Sequence, residues 1–284
     1  MRIAIIGDDK RQKSLADILR KNGYCVSLYG KEIKCENKSS DSQVFADESS
    51  QWCNLLKEYD ILILPLPYTR DGKSIFTVPT LSLDALFDIC KGKRVLLGSA
   101  NGKIDERILK NASGCYDYNS SEGFQYINAR MTAEAALAMA IEKVPISVFG
   151  ANTVVVGYGR IGSFLSDMLS LMGANVTVCA RKERDLARAA AHGYNAVDIS
   201  KGFVGFKKNK TDSLPDMIFN TVPAKVFTSQ NSAELAGCPL FDLAGKGVTS
   251  EYCGEVIPAL SLPALISPIS AALAVFCGIK DKLT

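Results

Sequence analysis

The stretch "TVVVGYGRIG", residues 153–162, constrains the fold more than any other part of this chain. A run of β-branched residues stops at Gly157, a second glycine follows at Gly159, and a third at Gly162. The run reads as a buried strand. The segment after it, "RIGSFLSDMLSLMG", has the apolar spacing of an amphipathic helix, and "NVTVCA" reads as a second strand. Strand, G-x-G-x-x-G turn, helix and strand together make a βαβ unit of the dinucleotide-binding kind. Each glycine has its own task there. Gly157 permits the tight turn, Gly159 lets backbone approach a pyrophosphate, and Gly162 lets the helix lie close to the strand. Tyr158, Arg160 and Ile161 complete the turn, whose helix start offers amides and a positive dipole end to phosphate.

The same alternation runs through the whole chain. "RIAIIG", "CVSLYG", "DILILPLP" and "KRVLLGS" are strand candidates in the first half, separated by helical patterns at 11–21, 49–58, 81–91 and 104–111. In the second half "NTVVVG", "ANVTVCA", "YNAVDI", "DMIFNTVP" and "CPLFDLAG" are strands, with helices near 160–173 and 183–193. Between the halves the alanine-rich "ARMTAEAALAMAIEK", residues 129–143, reads as a connector helix. Its expected cap is Thr132, with Glu134 in the first turn. The fold class expected is α/β, with two Rossmann-like, doubly wound domains of mainly parallel sheet. An N-terminal domain is expected over 1–128 and a nucleotide-binding domain over 129–267. The last helix, 268–284, is expected to pack back on the first domain.

Composition narrows the partners. Among 284 residues, 47% are hydrophobic and 22% charged, the balance of a globular protein. A net charge of +3, with no long basic run, argues against a nucleic-acid partner. The nine cysteines contain no C-x-x-C pair, which points to reduced thiols in a cytoplasm and to no metal site. The start "MRIAIIGDD" turns acidic too early for a signal peptide. "VIPALSLPALISPISAALAVFCGI", 256–279, is nearly free of charge, but Pro258, Pro263 and Pro268 interrupt it. A strand, a proline loop and a buried helix from about Ile269 are expected there, and no membrane span.

The first glycine loop, "IAIIGDDKRQ", differs from the second. Asp8 and Asp9 stand where phosphate needs backbone amides, so this loop is expected to cap a helix. Lys10 or Arg11 beside it suits an anionic substrate group. At the second loop the strand "NVTVCA" ends in Ala180, Arg181 and Lys182, where an NAD site carries an acid for the ribose. A guanidinium there suits a 2′-phosphate, so NADP is expected; Glu183 as the ribose contact is the alternative. Asn220, Thr221, Val222 and Pro223 end one later strand, and Leu243 and Ala244 the next. Ligands in an open α/β sheet lie at such carboxyl ends.

The single histidine, His192, precedes a glycine at a helix end, a place for a helix-capping cation. A histidine proton relay is therefore not expected, and redox chemistry carried by a cofactor remains.

The quoted segments, together with "ILPLPYTRDG", "GSAN" and "MTAEAALAMAI", follow the order of a known family. Over nearly its full length the chain resembles the family of dipicolinate synthase A subunits of endospore-forming bacteria. The resemblance implies a two-domain fold like that of 2-hydroxyacid and alanine dehydrogenases. It also implies NADP-linked oxidation of a dihydrodipicolinate-type precursor to dipicolinate, on a branch of the lysine pathway during sporulation. The partner implied is a second, flavoprotein-like component of the synthase, and the setting the mother-cell cytoplasm; a homo-oligomer is expected. A small dicarboxylate substrate needs cations and donors. Arg11 and Arg130 are the candidate cations, with Ser99, Asn101 and Thr132 as hydrogen-bond partners. Glu134 is a candidate proton acceptor, or else a first-turn carboxylate. The chain departs from the family at "TAEA" (132–135) and "PALSLPA" (258–264), where relatives carry glycine. The alternatives are a 2-hydroxyacid-dehydrogenase-like enzyme and a non-catalytic, NADP-binding regulatory subunit.

Overall fold

The computed structural model describes residues 1–283 except 31–47, 101, 204–213, 230, 236 and 246–248. The chain forms two units, Met1–Asn128 with Pro263–Thr284, and Ala129–Leu262. Each is built on its own parallel sheet.

In the first unit, β1 (Arg2–Ile6), β2 (Cys25–Tyr29), β3 (Ile61–Ile63), β6 (Arg94–Leu97) and β7 (Gly114–Asp117) lie in the order β2-β1-β3-β6-β7. All four pairings are parallel. The helices α1 (Lys10–Lys21), α2 (Glu48–Leu56), α3 (Leu83–Ile89) and α4 (Glu106–Asn111) connect them. Parallel strands covered on both faces must be apolar throughout. Accordingly Ile3, Ile5, Ile61, Leu62 and Ile63 are completely buried. One face packs Trp52, Leu56, Leu86 and Tyr29 into a core. The C-terminal helix α9 (Pro268–Ile279) lies against α1. Its buried residues there are mostly Ala271, Ala272 and Ala274, whose small side chains permit a close approach. Arg94 fastens the end of the chain by donating to the Lys282 carbonyl at 3.0 Å.

A short antiparallel hairpin, β4 (Ser74–Ile75) and β5 (Val78–Ser82), was not expected from the sequence. Residues 78–82 pair as a strand, so the helix read from 81 begins at Leu83, where Ser82 caps it through the Ala85 amide. β4 has only two residues and β5 carries Pro79, so neither shows the alternation that marks a strand.

The second unit has β8 (Asn152–Val156), β9 (Asn175–Ala180), β10 (Asn195–Asp198), β11 (Met217–Asn220), β12 (Leu240–Asp242) and β13 (Val256–Pro258). Their order is β10-β9-β8-β11-β12-β13, all parallel. In chain order that is 3-2-1-4-5-6, the dinucleotide-binding arrangement. Helices α6 (Arg160–Leu171) and α7 (Glu183–Ala191) connect the first three strands. Val155, Val178, Leu165, Leu169, Phe219 and Phe241 form the core on one face.

The connector helix α5 (Glu122–Lys143) corrects one expectation. It begins at Glu122, so Thr132 and Glu134 lie deep inside it and neither is in a cap or a first turn. Ser121 stands at its start, with its carbonyl taking the Gln125 amide at 3.0 Å. Gly123, a poor helix former, hides this start from a propensity reading. Further on, α8 (Leu262–Ile266) and α9 divide the apolar stretch at Ser267. Among the described residues no helix is long and apolar enough to cross a membrane.

Candidate functional site: the glycine turn of the second unit

The turn from β8 into α6 lies where the strand order reverses, between β8 and β11. Its three glycines meet three different constraints. Gly157 has φ +98°, and a Cβ there would come within 2.4 Å of the Thr221 hydroxyl oxygen. Gly162 lies so close to the turn that a Cβ would stand 2.1 Å from the Gly157 carbonyl oxygen. Gly159 has an ordinary φ of −81°, and a Cβ there would meet nothing within 4 Å. Conformation and packing thus account for two of the glycines, whereas at the third the protein leaves open space. Gly159 is also the N-cap of α6, with no side chain to bond the first-turn amides. A helix start left without a side-chain cap, beside open space, suits a phosphate oxygen. The residues present therefore fit the diphosphate of a dinucleotide.

The neighbouring strand end fits one half of such a ligand. β9 closes at buried Ala180, and Arg181, Lys182 and Glu183 follow, all exposed. Lys182 is the N-cap of α7 without a side-chain hydrogen bond. No acid stands at the end of β9 itself. Asp198, in register with Ala180 on β10, accepts from the Ser200 amide and hydroxyl.

At the ends of β11 and β12 the polar side chains face inward. Asn220 is fully buried; it donates to the Asp242 carboxylate at 3.0 Å and accepts from the Val222 amide at 3.1 Å. Thr221 donates its hydroxyl to the Val156 carbonyl at 2.9 Å. Both side chains therefore shape the loops, leaving Val222, Pro223, Leu243 and Ala244 as the residues beyond the strands. The Asp242 carboxylate was missed by the sequence reading. It accepts from Asn220, from the Ala244 and Gly245 amides at 3.1 and 3.2 Å, and from Thr249. An acid at the close of the apolar run "LFDLAG" was the available signal.

Tyr158 points its side chain into the protein, and only its backbone belongs to the turn's surface. It is 2% exposed, and its ring lies edge-on to His192 and to Tyr194, 6.3 Å from each. Tyr194 donates to Asp167 at 2.6 Å, and His192 Nδ1 lies 3.4 Å from the same oxygen. Burial and the Asp167 charge hold the Tyr194 phenol well above its ordinary value. His192 closes α7 ahead of β10, at the amino ends of the strands.

The residues read as substrate contacts are distributed as follows. Arg11, in the first turn of α1, is 4% exposed. Its Nη2 donates to the Leu66 carbonyl at 2.8 Å and lies 3.2 Å from Asp9. Its Nε is buried with no partner. Lys10 is exposed. Asp9 caps α1 through the Gln12 amide at 2.9 Å, so a carboxylate of the protein already occupies that helix start. Ser99 is buried, with its amide and hydroxyl both donated to Asp117. Asn119 in turn donates to the Ser99 carbonyl at 2.7 Å. Ser99 is thereby an anchor of the β6 loop. Asn101 lies outside the described residues. Arg130 and Glu134 pair with each other on exposed faces of α5 at 3.0 Å, and Thr132 between them is buried. Among the described residues no cluster suits a metal ion.

Comparison with known proteins agrees with this architecture. Residues 2–119 match the family model for the N-terminal domain of the dipicolinate synthase A subunit. The A subunit of dipicolinate synthase from Bacillus subtilis (strain 168) is 22% identical over 295 residues, covering 100% of this chain and 95% of that protein. The crystal structure of the corresponding protein from Bacillus halodurans superposes with a TM-score of 0.74 at 24% identity, over 99% of this chain and 97% of that one. L-alanine dehydrogenase shares the fold at a TM-score of 0.58 and 12% identity, over 100% of this chain and 89% of its own. In sequence and in fold, over its whole length, the chain is similar to the dipicolinate synthase A subunit.

Proposed function

We propose that the protein is an NADP-dependent oxidoreductase with the activity of its relatives' name, forming dipicolinate from a dihydrodipicolinate-type precursor. The observation that carries this reading is Gly159. It stands at an uncapped helix start, at the reversal point of a 3-2-1-4-5-6 sheet, with open space where a side chain would be. The nicotinamide cofactor supplies the hydride acceptor. The chain's own residues hold it. Backbone amides at Gly159–Gly162 take the diphosphate, and Arg181 and Lys182 take the 2′-phosphate. NADP is preferred over NAD because a carboxylate is missing from the end of β9 and two cations follow it.

On the substrate side, Arg11 is the proposed carboxylate anchor. Its Nη2 is committed and no acceptor among the described residues meets Nη1, so one edge of a fixed guanidinium is left for an anion. Arg130 is the proposed second cation, and Glu134 the group that takes a proton. Ring oxidation releases one hydride and one proton, and an aromatic product needs no histidine relay. The second, flavoprotein-like component, a homo-oligomeric state and a mother-cell cytoplasmic setting belong to the same proposal.

The test is turnover of a dihydrodipicolinate-type substrate with NADP, with and without the second component, followed by the absorbance of reduced nicotinamide. Growth of that absorbance together with dipicolinate is expected. Binding of NADP without turnover in either mixture would leave a regulatory role, and no binding at all would end the reading.

A further inference from the structure

The loop that ends β11 stands directly behind the glycine turn, and one side chain there meets three parts of the turn. The Thr221 hydroxyl donates to the carbonyl of Val156, the last residue of β8. The Thr221 amide donates to the same carbonyl at 2.9 Å. The hydroxyl oxygen would lie 2.4 Å from a Cβ on Gly157 and 3.4 Å from one on Gly162. Val222 completes the wall, with its Cγ2 2.9 Å from the same Gly157 position. The Val222 amide is in turn held by Asn220, which the buried Asp242 fixes. Rigid support therefore runs from β12 through β11 to the back of the turn, while its front at Gly159 is open.

We infer that Thr221 is a positioning residue, whose hydroxyl holds the glycine turn in the shape that receives a diphosphate. This rests on the proposed nucleotide site and goes beyond it. Residues at this strand end read from sequence as ligand contacts, whereas the geometry makes Thr221 act through the turn. The hydroxyl is needed because the Val156 carbonyl, at the point where strand gives way to turn, has two lone pairs. The amide of Thr221 takes one and its hydroxyl the other. Without the second bond the carbonyl and Gly157 are free to rotate, and the amides that follow lose their common aim.

The test compares Thr221→Val, Thr221→Ser and Thr221→Ala by titration with two ligands. NADPH carries a diphosphate, whereas adenosine 2′-monophosphate needs only the Arg181 side. Thr221→Val and Thr221→Ala are expected to weaken NADPH about tenfold, the loss of one hydrogen bond to an aligned group. Thr221→Ser, which keeps the hydroxyl, is expected to stay within about twofold of wild type. The monophosphate is expected to bind all four proteins alike. Circular dichroism shows which variants fold, and Thr221→Ala serves if Thr221→Val does not. Unchanged NADPH affinity without the hydroxyl overturns the inference, as does equal loss of both ligands, which marks a merely structural role. Failure of wild type to bind either ligand overturns the nucleotide site, and this inference with it.

Discussion

Replacing Gly159 by alanine separates binding from stability. The residue has φ −81° and ψ −162°, a conformation open to any L-residue, and its Cβ would touch nothing within 4 Å. No strain and no overlap follow. The unfolded chain loses freedom, a gain of about 0.4–1 kcal/mol, while alanine is a poorer N-cap than glycine by a similar amount, so stability is expected to stay within about 1 kcal/mol of wild type. The same methyl group stands in the space in front of the α6 amides. A phosphate kept from those amides loses a charge-assisted hydrogen bond, a loss of about 1.5–3 kcal/mol. That converts to a roughly ten- to hundredfold weaker dissociation constant. NADPH titration by calorimetry, with urea unfolding of both proteins, measures the two effects. A variant that binds as tightly as wild type at equal stability would refute the assignment of this turn to the diphosphate.

The neighbouring glycine is expected to behave oppositely. Gly162→Ala places a Cβ 2.1 Å from a backbone oxygen, so α6 must shift, and urea unfolding should register a loss of about 1–3 kcal/mol. Arg181→Glu should weaken NADP by about 1.5–3 kcal/mol and leave NAD nearly unchanged; equal effects on both would remove the 2′-phosphate role. Burial pushes the Cys90 and Cys115 thiols up to about 11. A raised value favours the folded state while the thiols stay protonated in both states. Stability is therefore expected to fall as pH rises from about 9, where unfolded thiols ionise, to about 11, and Cys90→Ala should flatten that part of the urea–pH profile. The same two thiols should react with a disulfide reagent at neutral pH far more slowly than exposed Cys25, Cys53, Cys253 and Cys277.

Much of the second unit was legible in the chain because its signals are local. A buried parallel strand must be apolar along its length, so "TVVVG" and "MIFN" announce themselves. A turn of positive φ requires glycine, so Gly157 marks its own corner. The start of α5 was less legible, because Gly123 lowers helix propensity just where tertiary packing overrides it. The hairpin at 74–82 was hidden for another reason, as pairing between short segments leaves no periodic mark.

The sequence by itself determined the alternation of strands and helices in both units, the glycine turn and the cations that follow β9, since each is written in neighbouring residues; the edge strand β7, the hairpin and α8 were not read from it. Only the tertiary structure decided which polar groups remain for a ligand. Asn220, Thr221 and Ser99 all read as surface donors or acceptors, yet each is spent on a partner brought near by folding. Hydrogen-bond capacity is a property of a residue type. Whether it is free depends on residues as distant in sequence as Thr221 and Val156, and no local pattern carries that information.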